Sequence, residues 1–274
     1  MTADLKIIDR PSPNFGARDG PIDLVVLHYT GMWSAEIALD RLTDPLPRAA
    51  RYTPPGDPPA DPDTDLGRVS SHYVVDEAGA IARLVSEDNA AWHAGVSSWK
   101  GRPGCNGRSV GIEIVNGGHD FGLPDFPAPQ IEAVIALTHA VMARHRIPPT
   151  GLVGHSDIAP GRKQDPGEKF PWETLAAAGL GLFPQTTDPG AGPAVARLGD
   201  GGAHVAALQE GLASFGYGVA VNGVFDAETA DVLRAFHQRF RPGRVADYAD
   251  EDTLARLNDL LKQMMRAEIL RLRS

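Results

Sequence analysis

The run PQTTDPGAGPAVA (184–196) separates two stretches of different hydrophobic periodicity. Its Pro, Gly and Thr content reads as a linker. A chain of 274 residues is long for one compact core and comfortable for two domains. The sequence therefore predicts a larger domain over 1–183 and a smaller one over 197–274.

Upstream of the linker, strand and helix patterns alternate. IDLVVLHYT (22–30), SSHYVVDEAGAIARLV (70–85), SVGIEIVN (109–116) and GLVGHS (151–156) predict strands, rich in β-branched residues and mostly bounded by Gly, Pro or Asp. DEAG inside the second predicts a hairpin turn and an antiparallel pair. SAEIALDRLTD (34–44), with Ser34 as cap, and PQIEAVIALTHAVMARHR (129–146), with Pro129 in its first turn, predict helices. The expected fold is α/β, a mixed central sheet flanked by helices, with His28, Glu113 and His155 near strand ends. Residues 45–66 hold seven prolines and no periodicity, which predicts a loop. It is either a tolerated surface insertion or a flap, since it lies between His28 and the strand carrying His72.

Downstream, GAHVAALQEGLASFGY (202–217) is amphipathic and ends at Gly216, and VNGVFDAET (221–229) predicts a turn into a second helix. EDTLARLNDLLKQMMRAEILRLRS (251–274) closes a small three-helix domain. Its last turns set Lys262, Arg266, Arg271 and Arg273 opposite leucines and methionines. A membrane or partner contact is one reading. A solvated extension of a packed helix fits the short run and Glu268 better.

A formal net charge of −9 argues against nucleic acid or anionic membrane as the main partner. The single Cys105 excludes an intramolecular disulfide. MTADLKIIDRPSPNFG has no apolar core of a secretory signal, and no stretch is long enough to span a bilayer. The expectation is a cytoplasmic protein without membrane insertion, periplasmic if a leader is missing upstream. The sequence leaves the oligomeric state open.

The chemistry concentrates in GHSDIAPGRKQDPG (154–167) and in His28, which closes the run LVVL. Two imidazoles and a carboxylate, His28, His155 and Asp165, make a plausible three-ligand metal site with one position open. Catalytic zinc keeps such a position, whereas structural zinc is usually closed by four ligands. The alternative is a set of packed or solvated histidines. Zinc would polarise a scissile carbonyl and lower the pKa of its bound water to about 7.

GHSDIAPGRKQDPG, AWHAGVSSWKGRPGCN (91–106), SVGIEIVN and RVSSHYVVD (68–76) occur in an order that resembles the zinc-dependent N-acetylmuramoyl-L-alanine amidases. This family is related to the phage T7-type lysozyme and the peptidoglycan recognition proteins. The match runs over roughly 5–182, and within the family it is similar to the bacterial recycling-amidase branch. The resemblance implies one Zn2+ per chain on His28, His155 and Asp165. It implies Glu113 as general base and Lys163 as the oxyanion-stabilising residue. It also implies a substrate groove at Trp92, His93 and Asn106. Arg68 and Arg162 are candidates for muropeptide carboxylates, because a guanidinium grips a carboxylate bidentately. The bland readings are an outward strand charge for Glu113, a solvated loop residue for Lys163 and exposed salt bridges for the arginines. His72 reads equally as a packed histidine and a substrate contact.

Gly104 departs from the arginine that meets the stem-peptide carboxylate in the recycling branch, which puts a diaminopimelate preference in doubt. Ser71 stands where the T7-type branch has a catalytic tyrosine, consistent with Glu113 holding that role. Over about 195–262 the chain resembles the three-helix peptidoglycan-binding domain attached to wall hydrolases. The implied activity is hydrolysis of the amide between the lactyl group of N-acetylmuramic acid and L-alanine, in peptidoglycan or its anhydromuropeptide fragments. Two alternatives remain: a non-catalytic muropeptide receptor, and a zinc carboxypeptidase acting within the stem.

Overall fold

A computed structural model describes residues 5–18, 20–185 and 192–272. Linker residues 186–191, the first four residues and Arg273 of the basic C-terminal turns lie outside the described residues, as does the side chain of Arg271. The protein is a mixed α/β fold with a central mixed sheet flanked by helices and a C-terminal helical region. By compactness the chain divides into two units, Met1–Gly95 with Asn106–Ile147, and Val96–Cys105 with Pro148–Ser274. This division does not coincide with the linker.

The first unit carries the strands β1 (Ile7–Asp9), β2 (Phe15–Ala17), β3 (Leu24–Tyr29), β4 (Tyr73–Val75), β5 (Ile81–Arg83), β6 (Asn89–Ala91) and β9 (Ser109–Ile114). Five of them run in the order β1-β5-β4-β9-β3. β3 and β9 pair in parallel over six residues, from Leu24↔Ser109 to Tyr29↔Ile114. β4 is parallel to β9 and antiparallel to β5, and β1 is parallel to β5, so the sheet is mixed. The β4–β5 hairpin turns at Asp76, whose carboxylate accepts from the Ala78 and Ala80 N–H groups, and at Gly79 with φ of 82°. β2 and β6 form a separate antiparallel ribbon. β3 is buried over Leu24–His28, as expected of a parallel strand covered on both faces.

Helix α1 (Ala35–Thr43) starts at Ser34, whose hydroxyl accepts from Ile37 N, and its Leu39 and Leu42 pack with Val74, Leu84, Val85, Ala91 and Val115. Helix α2 (Ala128–His145) has proline in its first turn, and its buried Gln130 donates to the Val75 and Val115 carbonyls. The proline-rich 45–66 segment is pinned at its base. The backbones of Arg48 and Asp65 pair in an isolated antiparallel β-bridge, Arg41 donates to the Leu66 and Gly67 carbonyls, and Tyr52 donates its hydroxyl to Asp44.

The second unit holds β7 (Ser98–Trp99), β8 (Arg102–Pro103) and β10 (Leu152–Gly154). Its helices are α3 (His155–Ile158), α4 (Trp172–Ala177), α5 (Ala203–Phe215), α6 (Ala227–Phe240) and α7 (Glu251–Leu272). Trp99 anchors an aromatic core with Phe215 and Tyr217, and Phe215 and Tyr217 continue it to Phe236 and Phe240. Gly216 must be small, because a Cβ there would fall 2.6 Å from the Trp99 ring. The VNGVFDAET turn is held by Gln209, which accepts from Asn222 N and Gly223 N and donates to the Val224 carbonyl. Asp226 caps α6 by accepting from Thr229 N, and Asp250 likewise accepts from Thr253 N at the start of α7. The last turns of α7 expose Met265, Ile269 and Leu270. Among the described residues, no helix is long and apolar enough to cross a membrane.

In each unit burial lowers the pKa of one histidine. Desolvation lowers the pKa of His72 to about 4, and that of His237 to about 4 as well. An unfolded chain takes up these protons as pH falls through about 6.5, whereas the folded chain resists until about 4. Stability is therefore lost between pH 6.5 and 4, by at most roughly 3 kcal/mol per histidine. Urea unfolding of the metal-free protein at pH 6.5 and pH 4.5 should show the midpoint falling. A midpoint that holds or rises would contradict these two neutral sites.

Candidate functional site

In the first unit the site is built on two adjacent parallel strands. His28 of β3 and Glu113 of β9 are register partners, and such partners stand side by side on one face of a sheet, about 4.8 Å apart. Glu113 lies on an interior strand whose other residues are buried, and is itself only partly exposed. The outward, solvated strand charge does not describe it.

His28 is buried, and its Nε2 lies 2.9 Å from Nδ1 of His93. His93 Nε2 in turn lies 3.1 Å from Ser109 Oγ. If Nδ1 of His28 is to keep a free lone pair, its proton sits on Nε2 and is donated to His93, whose own Nε2–H is donated to Ser109. This relay orients the His28 ring. Gly111 makes room for it, because a Cβ there would lie 2.6 Å from the His93 ring. The Asn106 side-chain carbonyl accepts from the His93 and Ala94 N–H groups, fixing the backbone that carries the relay. His72 packs behind it, with ring centroids 5.8 Å apart. Its Nδ1 accepts from Gly111 N and its Nε2 lies 3.1 Å from the Asn89 carbonyl. His72 is thus a packed histidine. Trp92 is partly exposed, and the Arg68 guanidinium lies over its ring at 5.0 Å.

In the second unit, β10 ends at Gly154 and His155 opens the short helix α3. His155 Nδ1 lies 3.0 Å from Asp165 Oδ2, and both side chains are buried. The loop that joins them folds back on itself, with Ser156 N donating to the Asp165 carbonyl at 2.9 Å. Arg162 and Lys163 lie exposed on that loop. Arg162 donates to the Val96 carbonyl, and Lys163 lines a shallow pocket with Gly161, Gln164, Asp231, Arg234 and Gln238.

Among the described residues, His28, His155 and Asp165 are a group, all buried, that could hold a metal ion. Two imidazole nitrogens and one carboxylate oxygen are donors that zinc accepts, and three protein ligands match its catalytic sites. The expected ligands thus fit on donor chemistry and burial. Sequence reasoning missed Ser109 and Gly111, which support His28. Only the short spacing of small residues in SVG before Glu113 hinted at them.

Two family models match this chain: N-acetylmuramoyl-L-alanine amidase over residues 18–168 and a putative peptidoglycan binding domain over residues 201–257. The N-acetylmuramoyl-L-alanine amidase AmiD of Escherichia coli is 38% identical over 212 residues, 72% of this chain and 75% of that protein. The 1,6-anhydro-N-acetylmuramyl-L-alanine amidase AmpD of Haemophilus influenzae is 33% identical over 168 residues, 59% of this chain and 86% of that protein. Among solved structures, AmiD of E. coli in complex with anhydro-N-acetylmuramic acid-L-Ala-D-gamma-Glu-L-Lys has a TM-score of 0.70 at 33% identity, covering 90% of this chain and 92% of that one. AmpDh3 of Pseudomonas aeruginosa in complex with anhydromuramic pentapeptide has a TM-score of 0.69 at 31% identity, covering 93% and 96%. The chain therefore belongs to the N-acetylmuramoyl-L-alanine amidase family and is an amidase, with a peptidoglycan-binding-type domain in its helical region.

Proposed function

We propose that the protein hydrolyses the amide between the lactyl group of N-acetylmuramic acid and L-alanine in anhydromuropeptide fragments, in cell-wall recycling, using one Zn2+ on His28, His155 and Asp165. The observation that carries this reading is the buried donor group of two histidines and an aspartate in a chain of this family. The solved relatives hold anhydromuropeptides, which supports that substrate class here.

His28, His155 and Asp165 would hold the zinc, which when bound would supply Lewis acidity toward the scissile carbonyl and lower the pKa of a bound water toward neutral pH. Glu113 takes the proton of the attacking water and delivers it to the departing amine as the C–N bond breaks. Its place beside His28 on an interior strand supports this role. Lys163 provides positive charge to the tetrahedral oxyanion. Arg68 on the Trp92 face, and Arg162, offer guanidinium groups to the stem-peptide carboxylates. His93 and Asn106, expected along the substrate groove, also support His28, His93 through its ring and Asn106 by accepting from the His93 N–H.

Release of intact stem peptide from 1,6-anhydromuropeptide, read by mass spectrometry, tests the reaction. Cleavage within the stem would point to a carboxypeptidase, and binding without release to a receptor. Rapid turnover of sacculi with none of the soluble fragment would overturn the recycling assignment. Glu113→Gln should lower kcat by about 10²–10⁴ while zinc content stays at one per chain. Normal turnover by that variant would remove Glu113 from the mechanism. Ser109→Ala, which removes the partner of His93 Nε2 and leaves the His28–His93 contact unsupported, should weaken zinc binding by about tenfold. Unchanged affinity in chelator competition would mean that the relay does not tune the ligand.

A further inference from the structure

The turn that carries His155 is gripped by the helical region of the same unit. Asp157, fully buried two residues after His155, has three donors. Gly154 N and Arg239 Nη1 reach its Oδ2 at 2.8 and 2.5 Å, and the Tyr217 hydroxyl donates to its Oδ1 at 2.7 Å. The second terminal nitrogen of Arg239 donates to the Leu152 carbonyl at 2.8 Å. One guanidinium therefore ties the strand immediately before His155 to the helical turn immediately after it. That guanidinium lies 4.3 Å from the Trp172 ring and 4.7 Å from the Phe240 ring, which restricts its plane. Trp172 also lies against the ligand turn, since a Cβ on Gly154 would fall 3.2 Å from its Cζ2. Burial beside Asp157 raises the Tyr217 pKa well above the usual phenol value, so its hydroxyl remains a donor.

Both braces come from the stretch matched as a peptidoglycan-binding domain, Tyr217 just after α5 and Arg239 within α6. A module serving only to hold glycan would have no need of a buried charge pair on the ligand turn. Charge-assisted bonds in a dry site are strong and directional, which suits them to fixing the orientation of a neighbouring side chain.

We infer that Arg239 and Tyr217 are positioning residues for the metal ligand His155, so that the helical region completes the metal centre rather than serving only as a wall-binding appendage. This rests on the ligand role proposed above for His155.

The test uses the full chain and measures zinc affinity by competition with a chromophoric chelator, well below the melting transition, alongside kcat and KM. Tyr217→Phe removes one hydroxyl, and Arg239→Lys keeps the charge but loses the fork. Each should weaken zinc binding by about tenfold or more and lower kcat, with KM within about twofold. Val205→Ala is the control. It opens the buried core of α5 and makes no bond to Asp157, so it should lower Tm and leave zinc affinity unchanged. Wild-type zinc affinity in both Tyr217→Phe and Arg239→Lys would overturn the inference. So would a Val205→Ala variant that loses zinc as they do, since bundle stability alone would then be the cause. His155→Ala separates the two claims. If it keeps wild-type zinc, the ligand assignment fails and this inference falls with it. If it loses zinc while the conservative variants do not, only the bracing role fails.

Discussion

A histidine can coordinate a metal through one nitrogen only if it is neutral and its proton is held on the other. The protein arranges the surroundings of its candidate ligands around that requirement. With Nδ1 of His28 given to a metal, the acceptor for its Nε2–H is another imidazole, His93, whose own Nε2–H is then donated to Ser109. His72 behind them is held neutral by burial, so it adds no charge to the stack. The small residues of SVG follow from this. Gly111 leaves room for the His93 ring and gives its N–H to His72. For His155 the surroundings fix the backbone rather than the ring proton: Asp157 closes the turn from Gly154 and is itself held by Arg239 and Tyr217.

Buried ion pairs do not generally add stability over apolar packing of the same volume, and removing one partner is strongly destabilising. The second unit nevertheless keeps two such systems. Arg239–Asp157 lies at the ligand turn, and Arg241 with Asp250 and Asp252 lies at the start of α7. Burial alone would raise the pKa of Asp250, but bonds from Arg241 and Thr253 outweigh it and leave the carboxyl at about 2. That pair caps a helix. The pair on Asp157 closes two residues after the candidate ligand His155, so directional control explains its retention better than stability does.

Much of this was legible in the sequence because the signals were local. Strand β3, strand β9, the Asp76–Gly79 hairpin, the Ser34 cap and the start of α6 at Ala227 follow from periodicity and cap chemistry within a few residues. The candidate ligands and Glu113 were found because they sit in motifs of fixed spacing. Long-range pairings were not legible. Nothing in VSSWKGRPG indicates that Trp99 joins an aromatic core with Phe215 and Tyr217, more than a hundred positions downstream. The expected linker was read from a break in the sequence pattern, whereas the compact units follow contacts. The segment 148–183 therefore groups with the helices beyond the linker. Tyr217 and Arg239 read as ordinary helix-domain residues until their side chains are followed to Asp157.

The most direct test of the central claim is zinc-edge anomalous diffraction from crystals of the zinc-loaded protein. The account predicts one peak per chain, bonded to one nitrogen each of His28 and His155 at about 2.0–2.1 Å and to an Asp165 oxygen at about 2.0–2.2 Å. A peak elsewhere, a ligand shell lacking any of these three residues, or no peak after zinc loading would contradict it.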